Sequence, residues 1–154
     1  MSRRILSWRN VAAVGTISLL AACAQTPPAA RVASNPPPVP PGPNATWYHV
    51  EFRPDSHAID AKGQMTVADV TNFMHQNPNM VATIVGRTDT IGGANYNMHL
   101  SHQRADAVRD ALVYQSNVAA DRVETRWSGE TRQRVASADN VSAEPNRVVD
   151  IAIH

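Results

Sequence analysis

Cysteine is all but missing from this chain. One residue, Cys23, stands among 154, which excludes an internal disulfide. Charge is also scarce, at 18% of residues with a formal net charge of +1. That balance excludes the broad basic footprint of a nucleic-acid-binding protein. No apolar run reaches the ~20 residues that a comfortable membrane-spanning helix needs. No internal repeat is visible. No Ser/His/Asp or Cys/His arrangement has a recognisable nucleophile context. Asp106 and Asp110 lie one helical turn apart, but beside Arg109 on a polar face. Nothing supports hydrolase chemistry, so the chain reads as a non-enzyme, with no cofactor and no metal implied.

What is there begins with Arg3, Arg4 and Arg9, then an apolar run from Val11 to Ala22. A positive start, an apolar core and small residues at its end form a secretory signal, here residues 1–22. Leu20-Ala21-Ala22-Cys23 resembles the lipobox of bacterial lipoproteins. The resemblance implies cleavage before Cys23 and acylation of its thiol and new amino terminus, palmitate included. Several acyl chains anchor stably, at about 0.8 kcal/mol per buried methylene. Ala24 follows where inner-membrane lipoproteins usually carry Asp, which points to the periplasmic face of the outer membrane. Losing three arginines from 14 basic residues leaves 11 against 13 acidic, a formal charge of −2. Binding to an anionic polymer would then rest on local contacts and not on the overall field.

Residues 23–46 hold the lipidated Cys and a tether. Eight of the eleven prolines fall between Ala24 and Thr46. Proline lacks an amide donor and favours polyproline II. At about 3.1 Å per residue the reach is at most roughly 70 Å.

Residues 47–154 read as the folded domain. "WYHVEF" (47–52) is aromatic, β-branched and alternating, a strand. Helical spacing of Val67, Val70 and Met74, beside Phe73, predicts a helix over 61–76, stopped by Asn77-Pro78. "MVATIVG" (80–86) is an apolar run expected as a central buried strand. A loop follows over 87–93, then a second amphipathic helix over 94–115 carrying Tyr96, Leu100, Val108 and Leu112. Alternation at Val123, Thr125 and Trp127 gives a third strand over 122–128. Val149, Ile151 and Ile153 mark a closing strand over 147–153. The order β-α-β-α-β-β predicts an α/β two-layer sandwich, with two helices packed on one face of a mixed sheet.

The stretch "GRTDTIGGANYNMHLSHQRADAVRDAL" (86–112) joins the second strand, its loop and the second helix. Gly86, Thr88-Asp89, Gly92, Tyr96-Asn97, Leu100-Ser101, Arg104-Ala105, Val108 and Leu112 together resemble the signature of the OmpA-like, peptidoglycan-binding domain of peptidoglycan-associated lipoproteins. Phe52, "WSGE" (127–130) and "NRVVDI" (146–151) extend the resemblance over roughly residues 47–154. The resemblance implies non-covalent binding of the peptidoglycan stem peptide at meso-diaminopimelate. A zwitterion needs one fixed anion and one fixed cation. By position, Asp89 would accept from the ligand ammonium, and Arg104 would present its planar fork to the carboxylate. Loop amides from Thr88 onward would add donors. Asn97 would orient the loop through its amide, and Leu100 would form an apolar wall. Substituting Asp89 or Arg104 by Ala is then expected to abolish wall binding and leave the fold intact.

Plainer readings stand beside these. Thr-Asp-x-x-Gly is also turn chemistry. An exposed Asp89–Arg104 bridge with no ligand is worth ~0–1 kcal/mol. The sequence departs from the family at Arg53, where Asp or Asn usually follows the strand Phe, and at Val148, where a second Arg usually follows Arg147. His99 and His102, at i and i+3, have no third metal ligand in view. Met65, Met74, Met80 and Met98 are expected to fill core gaps, and Tyr96 to anchor its helix to the sheet. The leading expectation is an outer-membrane lipoprotein that tethers that membrane to the cell wall. The alternative is an envelope protein-interaction module for a Tol-type or secretion-apparatus partner, with wall binding secondary.

Overall fold

The computed structural model describes residues 44–154. The signal, Cys23 and most of the tether lie outside the described residues. Strand β1 spans Thr46–Glu51, helix α1 Ala61–Gln76, β2 Ala82–Gly86, α2 Ala94–Asp110, β3 Val123–Trp127 and β4 Val148–Ile153. Short 3-10 turns occupy Ala120–Arg122 and Glu144–Asn146. The single sheet runs β1-β4-β2-β3. Strand β4 is antiparallel to both neighbours, and β2 and β3 are parallel. The expected mixed sheet with two helices on one face is observed.

Local signals set the helix limits. Asp60 caps α1, its carboxylate accepting from the Gly63 amide at 2.8 Å; such a cap satisfies an otherwise orphaned first-turn donor. At the far end the Asn77 side-chain amide donates to the Phe73 carbonyl at 2.8 Å, before Pro78. Helix α1 buries Val67, Val70, Thr71 and Met74. Helix α2 buries Leu100, Arg104, Ala105 and Val108. The helix expected over 94–115 instead changes hand-hold at Ala111, where a π-helical turn runs to Gln115. The wider turn keeps Ala111 and Leu112 in the core.

The core lies between helices and sheet: Val50, Ala82, Ile84, Val123, Val149, Ile151 and Ile153 meet Val67, Val70, Met74, Ala105, Val108 and Leu112. Strand β4 departs from the alternation its sequence suggests, because all six residues are buried. On the face away from the helices, Asp150 accepts from His49 Nδ1 at 2.9 Å and from Arg87 Nε at 2.7 Å, and Arg134 Nε stands 3.9 Å away. Arg87 also reaches the Arg132 carbonyl. Residues of the long 128–147 connection thus cover the second face of β4.

Two other expectations fail. Met65 is 64% exposed and Tyr96 50% exposed, so neither belongs to the core. Both face outward from their helices, whereas Met74 is fully buried.

Helix α2 approaches the sheet closely at Gly86. A Cβ there would fall 2.0 Å from the Ser101 carbonyl oxygen and 3.1 Å from the Ala105 Cβ. Only hydrogen at this position lets α2 lie against the end of β2. Gly86→Ala is therefore expected to cost about 2–3 kcal/mol through overpacking, read as a lowered urea midpoint against wild type.

Candidate functional site

The end of β1, the start of β4 and the end of β2 stand side by side. The Phe52 amide donates to the Arg147 carbonyl at 2.8 Å, and the Arg87 amide to the Val148 carbonyl at 2.9 Å. The loops leaving these strands surround a pocket of about 380 Å³, lined by Pro54, Asp55, Asp89, Ile91, Gly92, Tyr96, Leu100 and Ser142. Of the residues expected to bind the ligand, Asp89 and Leu100 are in its wall, together with Gly92 and Tyr96 of the same signature.

Asp89 is 6% exposed. Its Oδ2 accepts from Arg147 Nη1 at 3.1 Å and from the Ala143 amide at 3.3 Å. Its Oδ1 accepts no hydrogen bond from the described residues. One side of the carboxylate is thus neutralised by Arg147, and the other remains open for a donor in the pocket. Arg147 also donates through Nε to the Phe52 carbonyl at 3.3 Å and through Nη1 to Ser142 Oγ at 3.0 Å.

Arg104 lies beneath the pocket and not in its lining. It is 1% exposed. Its Nε donates to the Ser56 carbonyl at 2.8 Å, Nη1 to the Arg87 carbonyl at 3.0 Å and Nη2 to the Arg53 carbonyl at 3.1 Å. The guanidinium also sits 5.3 Å from the centre of the Phe52 ring. Three of its five N–H groups are committed to backbone carbonyls. No hydrogen bond joins it to Asp89. Burial lowers its pKa to about 10, while Asp89 and Asp55 act to raise it and Arg147 to lower it. The group remains a cation at neutral pH.

The remaining sequence candidates are structural neighbours of the pocket. The Thr88 amide is not free, since it donates to the Gly129 carbonyl at 3.0 Å; its buried hydroxyl has no partner. Asn97 makes its hydrogen bond away from the 87–93 loop. Its Nδ2 donates to Glu130 at 2.5 Å, so it ties α2 to the 128–147 connection, and its buried Oδ1 has no partner. The "WSGE" segment acts in the same way. Gly129, at φ +55, leaves room that a Cβ would close to 3.2 Å from the Met98 amide nitrogen, and its own amide donates to Ser101 Oγ at 2.9 Å.

Sequence reasoning missed several members. Thr90 is the hinge between loops: its hydroxyl donates to the Ala138 carbonyl at 2.7 Å and accepts from the Val141 amide at 3.0 Å. Asp55 and Tyr96 meet at the pocket, the Tyr96 hydroxyl donating to Asp55 Oδ1. Arg147 was legible as the first residue of the closing strand, but not as the partner of Asp89. Of the two helix histidines, His102 stacks on Trp127 with ring centroids 3.8 Å apart, and its Nε2 lies 3.2 Å from Asp106.

The fold and these loops have known counterparts. The OmpA family profile matches residues 51–147, and the chain belongs to that family. Outer membrane porin F of Pseudomonas aeruginosa is 37% identical over 95 residues, covering 62% of this chain and 26% of its own. The probable lipoprotein YiaD of Escherichia coli is 31% identical over 105 residues, 68% of this chain and 48% of its own. The peptidoglycan-associated lipoprotein of Agrobacterium fabrum is 35% identical over 91 residues, 59% of this chain and 50% of its own. The chain thus spans half or less of the length of these relatives. The crystal structure of the peptidoglycan-associated lipoprotein from Burkholderia pseudomallei aligns with a TM-score of 0.63 at 27% identity, covering 69% of this chain and 89% of that one. Among the described residues no helix is long and apolar enough to cross a membrane.

The burial of Arg104 changes what its removal does. Arg104→Ala is expected to cost about 3 kcal/mol or more, because three carbonyls lose charged partners in a dry site. Urea unfolding checks this, and a midpoint within error of wild type would contradict the structural role.

Proposed function

We propose that this chain binds peptidoglycan without covalent chemistry, at the diaminopimelate centre of the stem peptide, and tethers the outer membrane to the wall. The observation that carries the reading is the open Oδ1 of Asp89 in the wall of a pocket backed by two guanidinium groups, those of Arg104 and Arg147. The ligand ammonium would sit on Asp89 Oδ1. The ligand carboxylate would be drawn by the positive field of the two arginines. Leu100, Ile91 and Tyr96 supply apolar wall for the stem's methylenes. Thr88 and Asn97 act indirectly, by fixing the loop and the first turn of α2. Homologues named as outer-membrane proteins and peptidoglycan-associated lipoproteins support the wall-binding part.

The proposal extends beyond the described residues: 1–22 as a signal, Cys23 as the lipid attachment, 23–46 as the spacer and 47–154 as the wall-binding domain. The chain would face the periplasm from the outer membrane, without catalysing a reaction.

Co-sedimentation with purified sacculi tests the reading, using the full-length chain in mild detergent. It is expected to sediment with diaminopimelate-containing walls and not with lysine-containing ones. Asp89→Asn, which keeps the shape of the side chain, is expected to weaken binding about 10- to 100-fold, the range for a lost hydrogen bond to a charged group. Failure to sediment with either wall would overturn the proposal and favour a Tol-type or other protein partner.

A further inference from the structure

The sheet face away from the helices carries a surface that the pocket does not use. Tyr48 and Val50 of β1 turn to the core, so Trp47, His49 and Glu51 turn to this outer face. Trp47 pairs across β4 with Ala152, and Ala152 pairs with Thr83. Both neighbours are small, and the indole is left 49% exposed. The next row holds His49, Asp150, Val85 and Arg126. Here the charges do not cancel. Arg87 already balances Asp150 at 2.7 Å, and Arg134 stands 3.9 Å from the same carboxylate. Arg126 balances Glu124 at 3.0 Å, and Lys62 balances Glu51 at 2.7 Å. Arg134 is therefore in excess. Its Nη2 lies 3.4 Å from His49 Nε2, which puts it beside the residue two along from Trp47. Arg132, also exposed, adds a second cation two residues earlier. The exposed Val135 follows directly.

An exposed indole flanked by guanidinium groups matches the interface of an anionic bilayer. Tryptophan settles at the headgroup level, and an arginine near an anionic surface is drawn to it. The place of Trp47 fits as well. Strand β1 begins at Thr46, so the ring stands where the tether joins the domain. At about 3.3 Å per residue, it lies about 17 Å from Phe52 and the pocket. This face can therefore rest on a membrane while the pocket stays open to the periplasm. A tether reaching at most roughly 70 Å keeps the surface at high effective concentration, so weak docking suffices. We propose that Trp47, Arg132 and Arg134 form a docking face for the anionic phospholipid surface to which the chain is anchored. Without residues 1–22 the chain is formally −2, so the attraction is local to this face. The inference rests on the lipid-anchor part of the reading above.

Fluorescence of the full-length lipidated chain in vesicles tests it. Trp8→Phe and Trp127→Phe leave Trp47 as the one tryptophan. The vesicles carry bromine, a contact quencher, on their acyl chains. They are made of phosphatidylcholine with or without phosphatidylglycerol. The protein is expected to float with both. Trp47 emission is expected to fall about twofold or more only with phosphatidylglycerol, and to recover in high salt, which screens exposed charges. Arg132→Gln with Arg134→Gln is expected to cut the docked fraction relative to the free one roughly fivefold for each arginine lost. Emission then returns close to the phosphatidylcholine value. Both positions are exposed, so the fold is expected to persist. Equal emission in the two lipids would overturn the docking face and leave the anchor standing. A chain that floats with neither vesicle would overturn the anchor, and this inference with it.

Discussion

A buried guanidinium with its donors aimed at backbone carbonyls is the constraint around which the rest is arranged. Arg104 draws together the turn after β1, the turn after β2 and its own helix. Removing a cation from water is costly, and the cost is offset only when hydrogen bonds and counter-charges surround it. Here the carbonyls supply the hydrogen bonds, and Asp89 and Asp55 supply the charge. The stacked Phe52 ring closes the remaining side. The acids a ligand would meet are therefore the same acids that make the buried cation tolerable, so pocket and fold share their electrostatics.

Strand order sets where this happens. Inserting β4 between β1 and β2 places Phe52, Arg147 and Arg87 in one row. Ligands of open α/β sheets gather outside the carboxyl ends of strands, and both β1 and β2 end at this row. The second arginine, Arg147, arrives from the opposite direction because β4 is antiparallel. Two cations reach one carboxylate's surroundings from chain segments that no local pattern connects.

Much of the architecture was legible because period and punctuation agree. The helix expected from spacing and from the Asn77-Pro78 stop is α1, and the apolar β2 run is buried throughout. The signature residues also fall in one region. Their division of labour was not legible. Arg104 looks like a surface residue on a polar helix, and only tertiary packing places it at 1% exposure. Tyr96 looks like a core anchor, yet it points to Asp55, whose distance in sequence hides the contact. The π-helical turn at Ala111 has no marker such as Pro or Gly. The burial of both faces of β4 depends on Arg132 and Arg134 in a connection with no periodicity at all.

The insertion of β4 also governs the order of assembly. His49 and Asp150, bonded neighbours across β1 and β4, are 101 positions apart. Such distant pairing makes folding slow, because loop-closure entropy must be overcome before the contact forms. A chain threaded through a narrow channel from its amino end would present β1 long before its mate emerged. Until then β1 and β2 have no strand to bridge them, so the sheet cannot close. The topology defers closure of the sheet until the last strand of the chain is in place.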